Sequence, residues 1–141
     1  MNRVVFLDTC LLGLACSSKN KPNPERVKCI AWLNSLRANG ETIVIPEIAD
    51  YELRRELVRL NLKHPGQWAG HIQRLENLKA SNRYLPLSTQ MMLKACELWG
   101  DLRHRGLATT DDKALDGDVI LAAQAIISDA GRGEVIVATT K

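Results

Sequence analysis

Four short apolar runs punctuate the chain, at 4–7 (Val-Val-Phe-Leu), 42–45 (Thr-Ile-Val-Ile), 84–87 (Tyr-Leu-Pro-Leu) and 134–138 (Glu-Val-Ile-Val-Ala). None of them alternates polar with apolar positions, so each predicts a strand buried on both faces, as strands of parallel sheets are. Pro86 in the third run suits an edge strand, where a missing N–H costs no ladder bond. The first run stands out because it ends abruptly in a carboxylate, Asp8, followed by Thr9.

Between these runs the apolar spacing changes to three and four. Residues 9–15 predict a short helical turn, and 17–24, rich in Ser, Lys, Asn and Pro, predict a surface loop. Pro24 suits the first position of a helix, with Asn23 as its N-cap and Glu25 in its first turn. Val27, Ile30, Leu33 and Leu36 continue that helix, and Asn39-Gly40 closes it. Pro46 starts another, in which Leu53, Leu57 and Leu60 line one face and Glu52, Arg55, Arg59 and Lys63 another. His64-Pro65-Gly66 breaks it before a helix over 67–78. Ser88 caps the next, carrying Met92, Ala95, Cys96 and Trp99 on one face. After a polar loop over 106–113, Asp116-Gly117-Asp118 opens a last apolar helix over 119–128, with Gly131 or Gly133 to close it.

Strands alternating with helices or helix pairs are the signature of βαβ crossovers. They predict an α/β domain with a parallel sheet covered by helices on both faces. The 141 residues suffice for a single domain that buries its core without a disulfide or metal. Hydrophobic residues at 45% and charged residues at 25% fit a soluble globular composition. Net charge is only +3, which permits contact with a polyanion without requiring it. Cys10, Cys16, Cys29 and Cys96 form no C-x-x-C pair, and His64, His71 and His104 offer no zinc spacing, so reduced thiols in the cytoplasm are expected. The N-terminal segment up to Cys16 mimics a lipoprotein signal, yet Asp8 falls in its apolar centre, where a carboxylate is expensive. No apolar run is long enough to span a membrane.

The chemistry rests on acids near strand ends and helix starts. Asp8 follows the first strand, Glu52 lies two helical turns beyond the second, and Asp116 and Asp118 open the helix before the last. Each alone reads equally well as a cap or a solvated helix acid. Together, carboxylates converging on one rim of a parallel sheet would repel one another unless a cation neutralised them. Hard oxygen donors suit Mg²⁺ or Mn²⁺, ions that assist phosphodiester hydrolysis. Beside such a cluster Arg55, Arg59 and Lys63 would hold a phosphate backbone. With aromatic residues at 4%, platforms for stacking bases are not obvious. No G-x-x-x-x-G-K-[ST] loop, G-x-G-x-x-G turn or G-x-S-x-G elbow occurs, which disfavours nucleotide-binding and α/β-hydrolase functions.

Three segments, Val-Val-Phe-Leu-Asp-Thr at 4–9, Tyr-Glu-Leu at 51–53 and Asp-Val-Ile-Leu-Ala-Ala-Gln-Ala at 118–125, together with the closing Val-Ile-Val-Ala-Thr-Thr, resemble the PIN domain. The resemblance is closest to the single-domain VapC-type toxin ribonucleases of toxin–antitoxin pairs, and it runs over essentially the whole chain. It implies a three-layer α/β/α sandwich around a parallel sheet of four to five strands, and a Mg²⁺- or Mn²⁺-dependent endoribonuclease. By motif position Asp8, Glu52 and Asp118 match the family's first three acids. Thr9 matches the small hydroxyl residue after the first and Thr139 the threonine after the last strand; Asp116 matches no fixed family position, but its place beside Asp118 suits a helper or outer metal acid. The resemblance also implies an RNA substrate, a small antitoxin partner and a homodimer. The departure is at Lys141, which stands where the family usually has Asn or Asp, as loss of that position or a truncated chain would leave it. It motivates a rival expectation, a catalytically impaired PIN-like module that binds RNA. A weaker rival is a response-regulator-like or phosphatase domain, which lacks here the early acid pair it needs.

Overall fold

The computed structural model describes residues 3–107, 111, 116–128 and 134–140. The expected helix-closing Gly131 and Gly133, part of the 106–113 loop, and Lys141 lie outside the described residues. In chain order the elements are β1 (Val4–Leu7), α1 (Thr9–Cys16), α2 (Pro24–Ala38), β2 (Thr42–Pro46), α3 (Glu47–Lys63), α4 (Ala69–Ser81), β3 (Arg83–Leu85), α5 (Thr89–His104), α6 (Gly117–Ile127) and β4 (Val135–Ala138). The strands form one sheet in the order β3-β2-β1-β4, and all three pairings are parallel. β1 is therefore central, and the later strands add on both sides of it. The fold is α/β around a four-stranded parallel sheet, as expected.

Strand pleating divides the core. Val5, Leu7, Ile43 and Ile45 pack with α1, α2 and Leu75 of α4, while Ile48, Ala95 of α5 and Val119, Ile120 and Ala123 of α6 form a second cluster. Phe6 and Val44, alternating with the first set, are also buried, which is why no polar residue interrupts these strands. Helices thus cover both faces.

Several boundaries follow local chemistry. The expected turn after β1 is a full eight-residue helix, because Asp8 takes extended backbone angles and accepts a hydrogen bond from Leu11 N at 3.0 Å. Asn23 caps α2 in the same way, accepting from Arg26 N at 3.2 Å. That helix ends as Asn39-Gly40 predicts: Gly40 has φ 75°, Glu41 N bonds Leu36 O, and Gly40 N bonds Arg37 O. Pro46 is the last residue of β2 and the cap of α3 rather than its first helical residue. α4 starts at Ala69, two residues later than expected, with Trp68 as its N-cap. Among the described residues no helix is long and apolar enough to cross a membrane.

One buried polar side chain ties the layers together. Gln124 of α6 is fully buried, accepts from Ile48 N at 3.2 Å and donates to Leu85 O at 3.0 Å. It satisfies a free N–H of the first turn of α3 and a carbonyl of the edge strand, two groups that would otherwise be stranded in the core.

Candidate active site

The carboxyl ends of β1 and β4 lie side by side, with Asp8 N donating to Ala138 O at 3.2 Å. At this rim Asp8, Asp118 and Thr139 line one cavity of about 360 Å³, walled by Leu121, Ala122 and Val137. Residues 110 and 131 positions apart in sequence meet here only because β1 is central and β4 is its direct neighbour. Asp8 is buried and caps α1, whereas Asp118 is exposed in the first turn of α6. An acid in a first helical turn is favoured by the helix dipole.

Glu52 does not line this cavity but stands beside it. Its Oε1 accepts a hydrogen bond from Thr9 Oγ1 at 2.8 Å, and its Oε2 lies 3.9 Å from Arg55 Nη2. The same carboxylate rests on Gly117 so closely that a Cβ there would fall 2.2 Å from Oε2 and 2.5 Å from Cδ. Glu52 is thus held by the neighbour of Asp8 on one side and by the neighbour of Asp118 on the other. Gly117 is the site residue that reading the sequence missed. Its signal was a glycine between two aspartates at a helix start, where only a missing side chain admits another group so near.

Asp116 faces elsewhere. It is buried, caps α6 by accepting from Val119 N at 3.2 Å, and lines a different cavity with Met92, Ala95, Cys96 and Trp99 of α5. The basic residues of α3 are largely engaged within the helix. Arg59 forms a 2.6 Å ion pair with Glu56, whose carboxyl its hydrogen bond holds below the usual range. Arg55 lies 5.2 Å over the Tyr51 ring as well as near Glu52, and Lys63 is exposed in the last turn. Two of the three are therefore partnered by acids three residues away, as i, i+3 spacing permits.

A second polar cluster lies on the other face of α3. Buried Asp50 accepts from Arg54 Nε at 3.0 Å and from the Tyr84 hydroxyl at 3.1 Å, and Arg54 also pairs with Glu76 of α4 at 2.6 Å. Burial, and then the charge of Asp50, push the Tyr84 phenol above its usual range. This network fastens α3, α4 and β3, and it too was illegible in the sequence.

Donors at the rim are carboxylate and hydroxyl oxygens. Mg²⁺ commonly takes one or two protein carboxylates and fills its remaining positions with water, so Asp8, Asp118 and Thr139 suit that ion or Mn²⁺. Among the described residues no group of three or more His, Cys, Asp or Glu is gathered closely enough to form an all-protein cage.

The architecture matches solved structures over nearly its full length. VapBC2 from Rickettsia felis, bound to a DNA fragment from its promoter, aligns with a TM-score of 0.63 and 18% identity, covering 98% of this chain and 99% of that one. DNA-bound VapBC from Salmonella typhimurium aligns at 0.58 and 20% over 96% and 85%. FitAcB from Neisseria gonorrhoeae aligns at 0.56 and 19% over 94% and 96%. The chain thus shares the fold of these structures, which is PIN-like. No family model matches the sequence, and no curated protein matches it.

Proposed function

We propose that this chain is a Mg²⁺- or Mn²⁺-dependent endoribonuclease, the toxin of a toxin–antitoxin pair. The observation that carries the proposal is the meeting of Asp8, Asp118 and Thr139 in one rim cavity, with Glu52 fixed between Thr9 and Gly117 beside it. Asp8 and Asp118 would hold the metal, Thr139 would supply a neutral oxygen, and Glu52 would ligate through water or orient a water molecule. When bound, the ion supplies charge neutralisation of the phosphate and a lowered pKa for water. Thr9 orients Glu52 by its hydrogen bond, and Asp116 supports the site from behind by holding the start of α6. Lys63, with Arg55 and Arg59 where phosphate displaces their intrahelical acids, would contact the RNA backbone. The likeness to VapBC and FitAcB structures supports a small antitoxin protein as partner, and a homodimer belongs to the same proposal as what the family resemblance implies.

The test is cleavage of single-stranded RNA with Mg²⁺ or Mn²⁺, comparing the unmodified chain with Asp8→Asn. Asparagine keeps the cap on α1 but removes the charge, so cleavage should disappear while folding persists. Metal-dependent cleavage that survives the substitution refutes the site. A second reading, an impaired RNA-binding module, rests on Lys141 standing where the family resemblance expects Asn or Asp. It predicts salt-sensitive RNA binding with no turnover at any metal concentration.

A further inference from the structure

A further cavity lies away from the acids, where the α1–α2 loop meets the start of α4. It measures about 440 Å³, within the roughly 300–1,000 Å³ range of small-ligand sites. Ser17, Ser18, Lys21 and Asn23 line one side, Trp68 and His71 the other, and no carboxylate contributes to the wall. The two rings sit 4.5 Å apart at 43°, a tilted aromatic pair in the wall of a chain otherwise poor in aromatics, with Trp68 half-buried against the core behind it.

Basic side chains stand near this cavity. Arg74 Nε donates to Cys16 O at 2.7 Å and Arg26 Nε to Ser17 O at 3.2 Å, so two guanidiniums that line a neighbouring cavity close the carboxyl end of α1 beside Ser17 of this one. Lys21 is exposed within the wall. Burial first, then Arg74 and Lys21, hold the His71 imidazole below its usual range, as a cationic neighbourhood would. The Ser18 hydroxyl accepts from Asn20 N at 3.2 Å, which leaves its proton to donate.

We propose that this cavity is a nucleotide-binding site distinct from the acidic rim, with a base against Trp68 and a phosphate on Lys21 and the Ser18 hydroxyl. A ring surface for the base and clustered cations for the phosphate are what a nucleotide unit requires, and stacking is tolerant of base identity. α1 connects the two places: it runs from Thr9 at the rim to Cys16 at the cavity, eight residues or about 12 Å. A strand of RNA lying along α1 would be gripped here while cut at the rim. For the identity of the polymer the inference rests on the ribonuclease reading, but the site itself does not need turnover.

The experiment measures binding of a fluorescein-labelled octauridylate by anisotropy in EDTA, so that no cleavage occurs, with AMP as a competitor. Lys21→Glu is exposed and should fold normally. It should weaken binding by at least about tenfold, as loss of a charge-assisted phosphate contact and its reversal would. Trp68→Phe should weaken it less. Competition by micromolar to millimolar AMP would identify a free nucleotide as a ligand, and its absence would identify an RNA strand; both outcomes support the site. Equal octauridylate affinity in the unmodified chain and Lys21→Glu overturns it. So does Lys21-dependent binding of a glutamate-rich peptide without binding of octauridylate. Lys21-dependent binding without metal-dependent cleavage leaves this site standing and removes the ribonuclease reading, and the reverse pattern does the opposite.

Discussion

Replacing Gly117 by alanine separates folding from function at one atom. The added Cβ would fall 2.2 Å from Glu52 Oε2 and 2.6 Å from Oε1, far inside contact distance. The intruding neighbour is the far end of a flexible side chain, so Glu52 can swing away. In doing so it gives up the 2.8 Å hydrogen bond from Thr9, a loss of about 0.5–1.5 kcal/mol for a partly buried pair. Alanine in place of glycine at the first helical position returns up to about 1 kcal/mol of backbone entropy. The two terms nearly cancel, so the melting temperature should move by no more than about 3 °C. Activity should respond differently, because displacing a positioned catalytic group by about 1 Å or more can cost on the order of 10²-fold. Thermal melts and metal-supplemented RNA cleavage on the same preparation make the comparison. Adding Thr9→Ala to Gly117→Ala should cost little more in cleavage, since both act through one contact. Gly117→Ala cleaving RNA within about threefold of the unmodified chain would refute the role assigned to the Glu52 position. A large drop in stability would instead refute the claim that Glu52 yields cheaply.

Other expectations follow from the same contacts. Asp116→Ala should lower stability by about 1 kcal/mol in urea titrations, and Asp116→Asn by less, since asparagine can still accept from Val119 N. Gln124→Leu should cost about 2–5 kcal/mol, because it strands Ile48 N and Leu85 O in the core; a loss under 1 kcal/mol would mean those groups find other partners. A thiol reagent at pH 8 should modify two of the four cysteines rapidly, exposed Cys10 and Cys96. Burial pushes the Cys16 thiol up to about 12 and raises that of Cys29, so both should react only on unfolding.

The order of elements was legible in the sequence because it is written in local terms. A strand buried on both faces must be apolar at every position, as 4–7 and 42–45 are, and a helix must open with a group that satisfies its free N–H groups. Asp8, Asn23, Ser88 and Asp116 each accept from the backbone N–H three residues on. Side-chain periods of two and 3.6 reach no further than a few residues, however, so they do not state which strands become neighbours. Strand order decided that. With β1 between β2 and β4, the residues after β1 and β4 share a rim, and Asp8, Asp118 and Thr139 meet there.

Contacts across long separations were settled by packing alone. The sequence marked Glu52 as an acid on a helix beside arginines, and both descriptions hold, but only the approach of α3 to α6 shows its carboxylate lying on Gly117. Asp116 and Asp118, two residues apart, read alike by local position, and only the motif match set Asp118 apart. A helical start turns successive side chains by about 100°, so one faces α5 and the other the rim. Likewise the basic stripe of α3 was legible as charge, while its pairing with Glu52 and Glu56 depended on rotamers chosen in the folded chain. Local chemistry determined which elements form and where they begin. Tertiary structure determined which side chains meet, because sheet order and helix rotation are set by burial of whole faces rather than by any single residue.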